Sequence, residues 1–121
     1  MDGVEWRRQK WGDVAKLWFW YWKSVMKPSE ALELHRADIR RIVEMHHGLE
    51  VRVFGSVLHG EDTEESDLDL LVEPTPETSL LDIAKIQVGL ERLLGVRIDV
   101  VTPRALPDSF RNQVLESAVL L

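Results

Sequence analysis

Two aspartates separated by one leucine, in the run Ser66-Asp67-Leu68-Asp69-Leu70-Leu71-Val72, constrain this chain more than any other feature. The leucines and valine make the run a strand candidate, and in a strand residues i and i+2 point to the same side. Asp67 and Asp69 therefore project together, with Leu68, Leu70 and Val72 on the opposite, core-facing side. Two carboxylates on one open face serve no packing purpose. Their oxygens suit a hard divalent cation such as Mg2+.

Upstream, beyond a ten-residue gap, stands the pair Gly55-Ser56 at the end of an apolar Val51-Arg52-Val53-Phe54 run. A small Gly-Ser turn brings backbone N–H groups and a hydroxyl close to phosphate oxygens. Downstream, Asp99 sits in Arg97-Ile98-Asp99-Val100-Val101. A mid-strand carboxylate between apolar residues needs a partner. Arg97 or Arg52 could supply it as a salt bridge. With Asp67 and Asp69 present, a three-carboxylate cluster on adjacent strands is the better reading. Such a cluster around one or two Mg2+ ions suits phosphoryl or nucleotidyl transfer, in which metals neutralise phosphate charge and orient the transferred group. In that reading Asp67 and Asp69 ligate metal, and Asp99 ligates a second ion or accepts a proton. Gly55 admits the phosphates and Ser56 donates to one of them.

The two-part motif and the later aspartate resemble the nucleotidyltransferase superfamily of DNA polymerase β. The form Phe-Gly-Ser-Val-x-x-Gly-Glu, followed by Ser-Asp-Leu-Asp-Leu-Leu-Val-Glu, is similar to its minimal members, the MNT (MntA-like) antitoxins. The likeness covers about residues 29–121. It implies Asp67, Asp69 and Asp99 as catalytic and metal-binding residues and Gly55 and Ser56 as nucleotide-binding ones. It also implies Mg2+, ATP as substrate, and transfer of AMP to a hydroxyl, a tyrosine of a HEPN-family toxin in the antitoxin case. Two positions depart from the pattern: His59 stands where the family often has a basic residue, and Leu58 where it often has a small one.

The remaining sequence fits a single domain with a flanking segment. Apolar periodicity predicts a helix from about Glu30 to His46, N-capped by Ser29, with Leu32, Ile39, Ile42 and Val43 inward and Gly48 as its stop. Strands follow at Glu50–Phe54 and Asp67–Glu73. Thr78 or Ser79 caps a helix to about Leu94, with Leu80, Ile83, Ile86, Leu90 and Leu93 as its buried face and Gly95 closing it. Gly89 within it is expected to allow close packing on the sheet. A third strand at Val96–Val101 and a helix at about Asp108–Ala118 lead to an apolar Val-Leu-Leu tail. The order α-β-β-α-β-α indicates an α+β fold, a small mixed sheet with helices mainly on one face. The acidic run Glu61-Asp62-Thr63-Glu64-Glu65 is expected to be a solvated loop, and His35, His46 and His47 to be solvated surface residues.

Charge divides the chain. Residues 1–29 carry six Lys/Arg against three Asp/Glu, residues 30–121 nine against eighteen, and all five tryptophans fall within residues 1–22. Residues 1–28 thus form a Trp-rich extension to a domain at 29–121. Trp11, Val14, Ala15, Trp18, Trp22 and Val25 fall at helical spacing, as a partner contact, a membrane-surface helix or an upstream addition would. The net charge of −6 disfavours direct nucleic-acid binding, which calls for a basic surface. No cysteine is present, so disulfides are excluded and a reducing, cytoplasmic setting is expected. No segment is long enough to span a bilayer. Three functions remain in view: an antitoxin enzyme modifying its partner toxin, possible in homo- or hetero-oligomers; a dormant antitoxin acting by contact; and a transferase acting on a small molecule.

Overall fold

The structure is a computed structural model and describes residues 27–121. The helix expected over the Trp-rich segment lies outside the described residues. The first helical region forms two helices, α1 (Pro28–Leu34) and α2 (Arg36–Met45). They are followed by β1 (Gly48–Phe54), β2 (Leu68–Pro74), α3 (Leu80–Leu94) and β3 (Ile98–Val101). A 3-10 turn at Pro103–Ala105, α4 (Asp108–Ser117) and the two-residue strand β4 (Val119–Leu120) complete the order.

The sheet is mixed, with strand order β3-β2-β1-β4. β1 runs antiparallel to β2 and β4, and β2 and β3 are parallel. The parallel pair requires a crossover, which α3 provides. β4 was not expected: the apolar tail pairs Arg52 with Leu120 and Val53 with Val119, and Leu121 N–H donates to the Val51 carbonyl at 3.0 Å. Side-chain alternation sets the two faces of the sheet. Leu68, Leu70 and Val72 are fully buried with Val51 and Val53 against Ile39, Val43, Ile86, Leu90 and Leu94. Each such side chain contributes roughly 1.5–3 kcal/mol by leaving water.

Helices α1 to α3 cover that face. The second face is partly covered too: Leu71, Leu106 and Ala118 form a separate apolar cluster with Phe54, Val101 and Val114. Arg111 holds this cover together by donating to the carbonyls of Pro103 (2.9 Å) and Leu106 (2.7 Å). The part of the second face left open is the end bearing Asp67, Asp69 and Asp99.

Several local expectations are corrected. The single helix over Glu30–His46 breaks at His35, whose backbone (φ −115, ψ 21) leaves the helical region. Its N-cap is Lys27 rather than Ser29, because Pro28 takes the first helical position, where its fixed φ and missing N–H fit. The left-handed residue ending α2 is His47 (φ 67), and Gly48 already begins β1. His47 is tied down, its carbonyl accepting from the Thr78 hydroxyl at 2.6 Å and its Nδ1 lying 3.2 Å from Asp82. His35 likewise meets Asp38 at 3.3 Å.

Ser79 caps α3 as expected, accepting from the Asp82 N–H at 3.2 Å while Asp82 accepts the Ser79 N–H at 2.9 Å. These bonds hold the Asp82 carboxyl below its ordinary value, the backbone bond from Ser79 contributing most. The buried stripe of α3 is Ile86, Leu90 and Leu94, whereas Leu80 (90% exposed) and Leu93 (40%) face outward. Gly89 packs near Ile42 of α2 rather than on the sheet.

Candidate active site

Three elements meet at the open end of the sheet. Asp67 lies just before β2, Asp69 is in β2 and Asp99 is in β3. The parallel register sets Asp69 directly beside Asp99, and the antiparallel register with β1 sets Asp69 beside Phe54. The residue after Phe54 is Gly55, where the chain turns with φ 80. A Cβ added at Gly55 would collide with Oδ2 of Asp69, so the turn runs against the carboxylate only because glycine is there. The residues singled out from the sequence, Gly55, Ser56, Asp67, Asp69 and Asp99, are therefore neighbours in the fold.

The turn from Gly55 to Gly60 is closed by Leu58 N–H and His59 N–H donating to the Gly55 carbonyl (3.1 and 3.4 Å) and by Glu61 N–H donating to that of Ser56 (2.9 Å). Val57 is buried and Leu58 packs against the core, so the turn is anchored. Among the described residues, the N–H groups of Ser56 and Val57 and the Ser56 hydroxyl have no hydrogen-bond partner. They supply donors for an anion. His59 and Leu58, the two departures from the resemblance, differ in placement: His59 is exposed at the turn's outer edge, whereas Leu58 faces the core.

Electrostatics mark Asp69. Its pKa is raised from 3.8 to about 6, first by burial and then by the negative charges of Asp99 and Asp67. The salt bridge considered for Asp99 is absent among the described residues: Arg97 instead pairs with Asp67 (Nε to Oδ1, 3.2 Å) and Arg52 with Glu50 (3.3 Å). Among the described residues no basic side chain pairs with Asp69 or Asp99, which lie side by side on adjacent strands, and a cation would relieve their repulsion. The donor set, all carboxylate oxygen, fits a hard divalent ion. As placed, the described side chains form no group of three at ligating positions, and Asp67 is held by Arg97. Metal binding at Asp67 would mean exchanging that pair, which is exposed and weak.

Four contributing residues carry little signal in the sequence. Arg97 was read only as a possible partner of Asp99. Gln87 and Glu91 of α3 were not considered, yet their side-chain oxygens accept the N–H groups of Val100 (3.3 Å) and Ile98 (3.4 Å) on the outer edge of β3. These two bonds flank Asp99 and fix the strand that carries it. Asp62 was placed in a solvated loop, but it is 8% exposed and accepts the Ser29 N–H at 2.9 Å. A glutamine and a glutamate four residues apart on one helix face, eleven and seven residues before the strand begins, are the only sequence trace of the β3 contacts, and they specify no partner.

Comparison with known proteins identifies the family and the fold. Residues 35–121 match the family model described as nucleotidyltransferase domain. Protein adenylyltransferase MntA of Thermococcus cleftensis is 36% identical over 88 residues, 73% of this chain and 86% of that protein. A solved minimal nucleotidyltransferase superposes with TM-score 0.72 at 45% identity, over 81% of this chain and 99% of the other. A toxin–antitoxin complex solved with AMP-PNP shares the fold (TM-score 0.60) at 19% identity over 69% of each chain. The chain belongs to the nucleotidyltransferase domain family and is a transferase of the adenylyltransferase type.

Proposed function

We propose that this protein is a Mg2+-dependent protein adenylyltransferase that acts as an antitoxin, moving AMP from ATP to a tyrosine hydroxyl of a HEPN-family toxin. The observation that carries the reading is the pairing of Asp69 with Asp99 beside the Gly55 turn. Asp67 and Asp69 would hold the cation, which when bound neutralises triphosphate charge and orients the α-phosphate. Gly55 leaves room for the phosphates. The Ser56 hydroxyl and the free N–H groups of Ser56 and Val57 donate to their oxygens. The acceptor hydroxyl attacks the α-phosphorus, the bond to pyrophosphate breaks, and Asp99 takes the hydroxyl proton or holds a second ion. Support for a protein acceptor comes from the protein adenylyltransferase relative, and support for a toxin partner from the fold shared with the toxin–antitoxin complex. The Trp-rich extension expected over residues 1–28 is proposed to end by residue 26, because Lys27 caps α1 and buried Pro28 begins it. Among the described residues no helix is long and apolar enough to cross a membrane.

The test is incubation with ATP, Mg2+ and a HEPN-family toxin, followed by intact-mass analysis of the toxin. The reading expects a gain of one AMP, abolished by Asp67→Asn. No gain, or one that survives Asp67→Asn, overturns it. Toxin neutralisation that persists without any gain would instead assign the protein to inhibition by contact.

A further inference from the structure

Asp62 is the one buried charged residue among those described, 8% exposed within an otherwise exposed acidic run. Burying a carboxylate is costly unless it is hydrogen-bonded. Its neighbours Glu61, Thr63, Glu64 and Glu65 all remain in water. Asp62 turns inward and its Oδ2 accepts the backbone N–H of Ser29 at 2.9 Å, across 33 residues of chain. The residue before it, Glu61, donates its N–H to the Ser56 carbonyl at 2.9 Å. A short chain of contacts therefore runs from α1 through Asp62 and Glu61 to Ser56. The other end of the turn is fixed at Gly55 by β1, and its middle by buried Val57.

We propose that Asp62 is a positioning residue for nucleotide binding: by latching the loop to α1 it holds the Gly55–Glu61 turn in the shape that presents the Ser56 and Val57 donors to a triphosphate. The inference rests on the nucleotide-binding reading of that turn. Asp62 touches no reacting atom. Without the latch the turn keeps its internal hydrogen bonds but loses its outer anchor, so ordering it becomes part of the cost of binding ATP.

Two readouts on the full-length protein test this, amide hydrogen exchange without nucleotide and ATP affinity by calorimetry in Mg2+ buffer. Asp62→Ala is expected to speed exchange at Ser29 and Leu58–Glu61 and to weaken ATP binding about ten-fold. Asp62→Asn retains an acceptor oxygen and is expected to restore both close to wild type. Ser29→Ala keeps the donating amide and is expected to change neither. Should Asp62→Ala not fold, Asp62→Glu, which lengthens the arm, is read the same way. Unchanged exchange in Asp62→Ala overturns the latch. Faster exchange with unchanged ATP affinity overturns its role in binding. If the wild type binds no ATP, the nucleotide reading of the turn fails, and this inference fails with it. Normal wild-type binding alongside an unaffected Asp62→Ala defeats the inference alone.

Discussion

Replacing Asp69 with asparagine is expected to stabilise the metal-free protein while abolishing its activity. Burial, and then the charges of Asp99 and Asp67, push the Asp69 carboxyl up from its ordinary 3.8 to about 6. Each pKa unit corresponds to about 1.4 kcal/mol, so that displacement corresponds to about 3 kcal/mol before solvent is considered. Asp69 is partly exposed, and screening leaves about 1 kcal/mol. The sign follows from the folded value lying above the unfolded one. This contribution favours the fold fully below 3.8 and is lost as pH rises through about 6, where the fold must carry an ionised Asp69 among like charges. Asparagine keeps the shape and never ionises. The stability difference, variant minus wild type, should therefore grow by about 1 kcal/mol between roughly pH 4 and pH 7.5, or about 4 °C in Tm for a domain of this size. Thermal unfolding followed by circular dichroism in EDTA at both pH values measures it. Adding Mg2+ at about ten times its Kd should then raise wild-type stability by roughly 1.4 kcal/mol and leave the variant unmoved. A difference that does not change with pH, or a variant less stable than wild type at neutral pH, would refute the claim that burial and like charges strain the ionised Asp69.

Other substitutions probe the surrounding parts. Gly55→Ala introduces a methyl group into the Asp69 carboxylate at a left-handed φ, and a strained position of this kind costs about 1–3 kcal/mol; transfer should fall at least ten-fold, measured as initial rate. Arg97→Ala frees Asp67 from an exposed ion pair worth about 0.2–1 kcal/mol, so Mg2+ titration should show up to about five-fold tighter binding. Ser79→Ala removes the α3 cap and should cost about 1 kcal/mol in urea unfolding with unchanged ATP affinity, since the cap lies at the end of the sheet away from the carboxylates.

The parts of this molecule that a reader of the sequence can find are those set by local chemistry. Alternation in Leu68-Asp69-Leu70 fixes the strand and the shared face of its carboxylates, and Ser79 and Gly95 bracket α3 because capping and left-handed closure need those residue types. What stayed hidden depends on distant chain. Val119–Leu120 carries too few residues to show a strand period, and its pairing with β1 is decided by the remaining open edge. The doublets Leu80-Leu81 and Leu93-Leu94 allow two phases for the apolar stripe of α3, and only packing selects the one with Leu94 inside. No glycine or proline announces the break at His35. Asp62 looks like its acidic neighbours until the backbone of Ser29 arrives beside it. In the site, the aspartates were legible as residues, but the facing of Asp69 and Asp99 is a matter of register, which a sequence does not display.

The proposed function requires the carboxylates and the Gly55 turn to form one site for a divalent ion and a triphosphate. Titrating Mn2+ into the 15N-labelled protein with a non-hydrolysable ATP analogue tests it directly, because paramagnetic broadening reports distance from the ion. Broadening is expected to centre on the amides of Gly55, Ser56, Asp67–Asp69 and Ile98–Val100 and to be lost in Asp69→Asn. Broadening centred instead on the exposed glutamates Glu61, Glu64 and Glu65, or unchanged by Asp69→Asn, would contradict it.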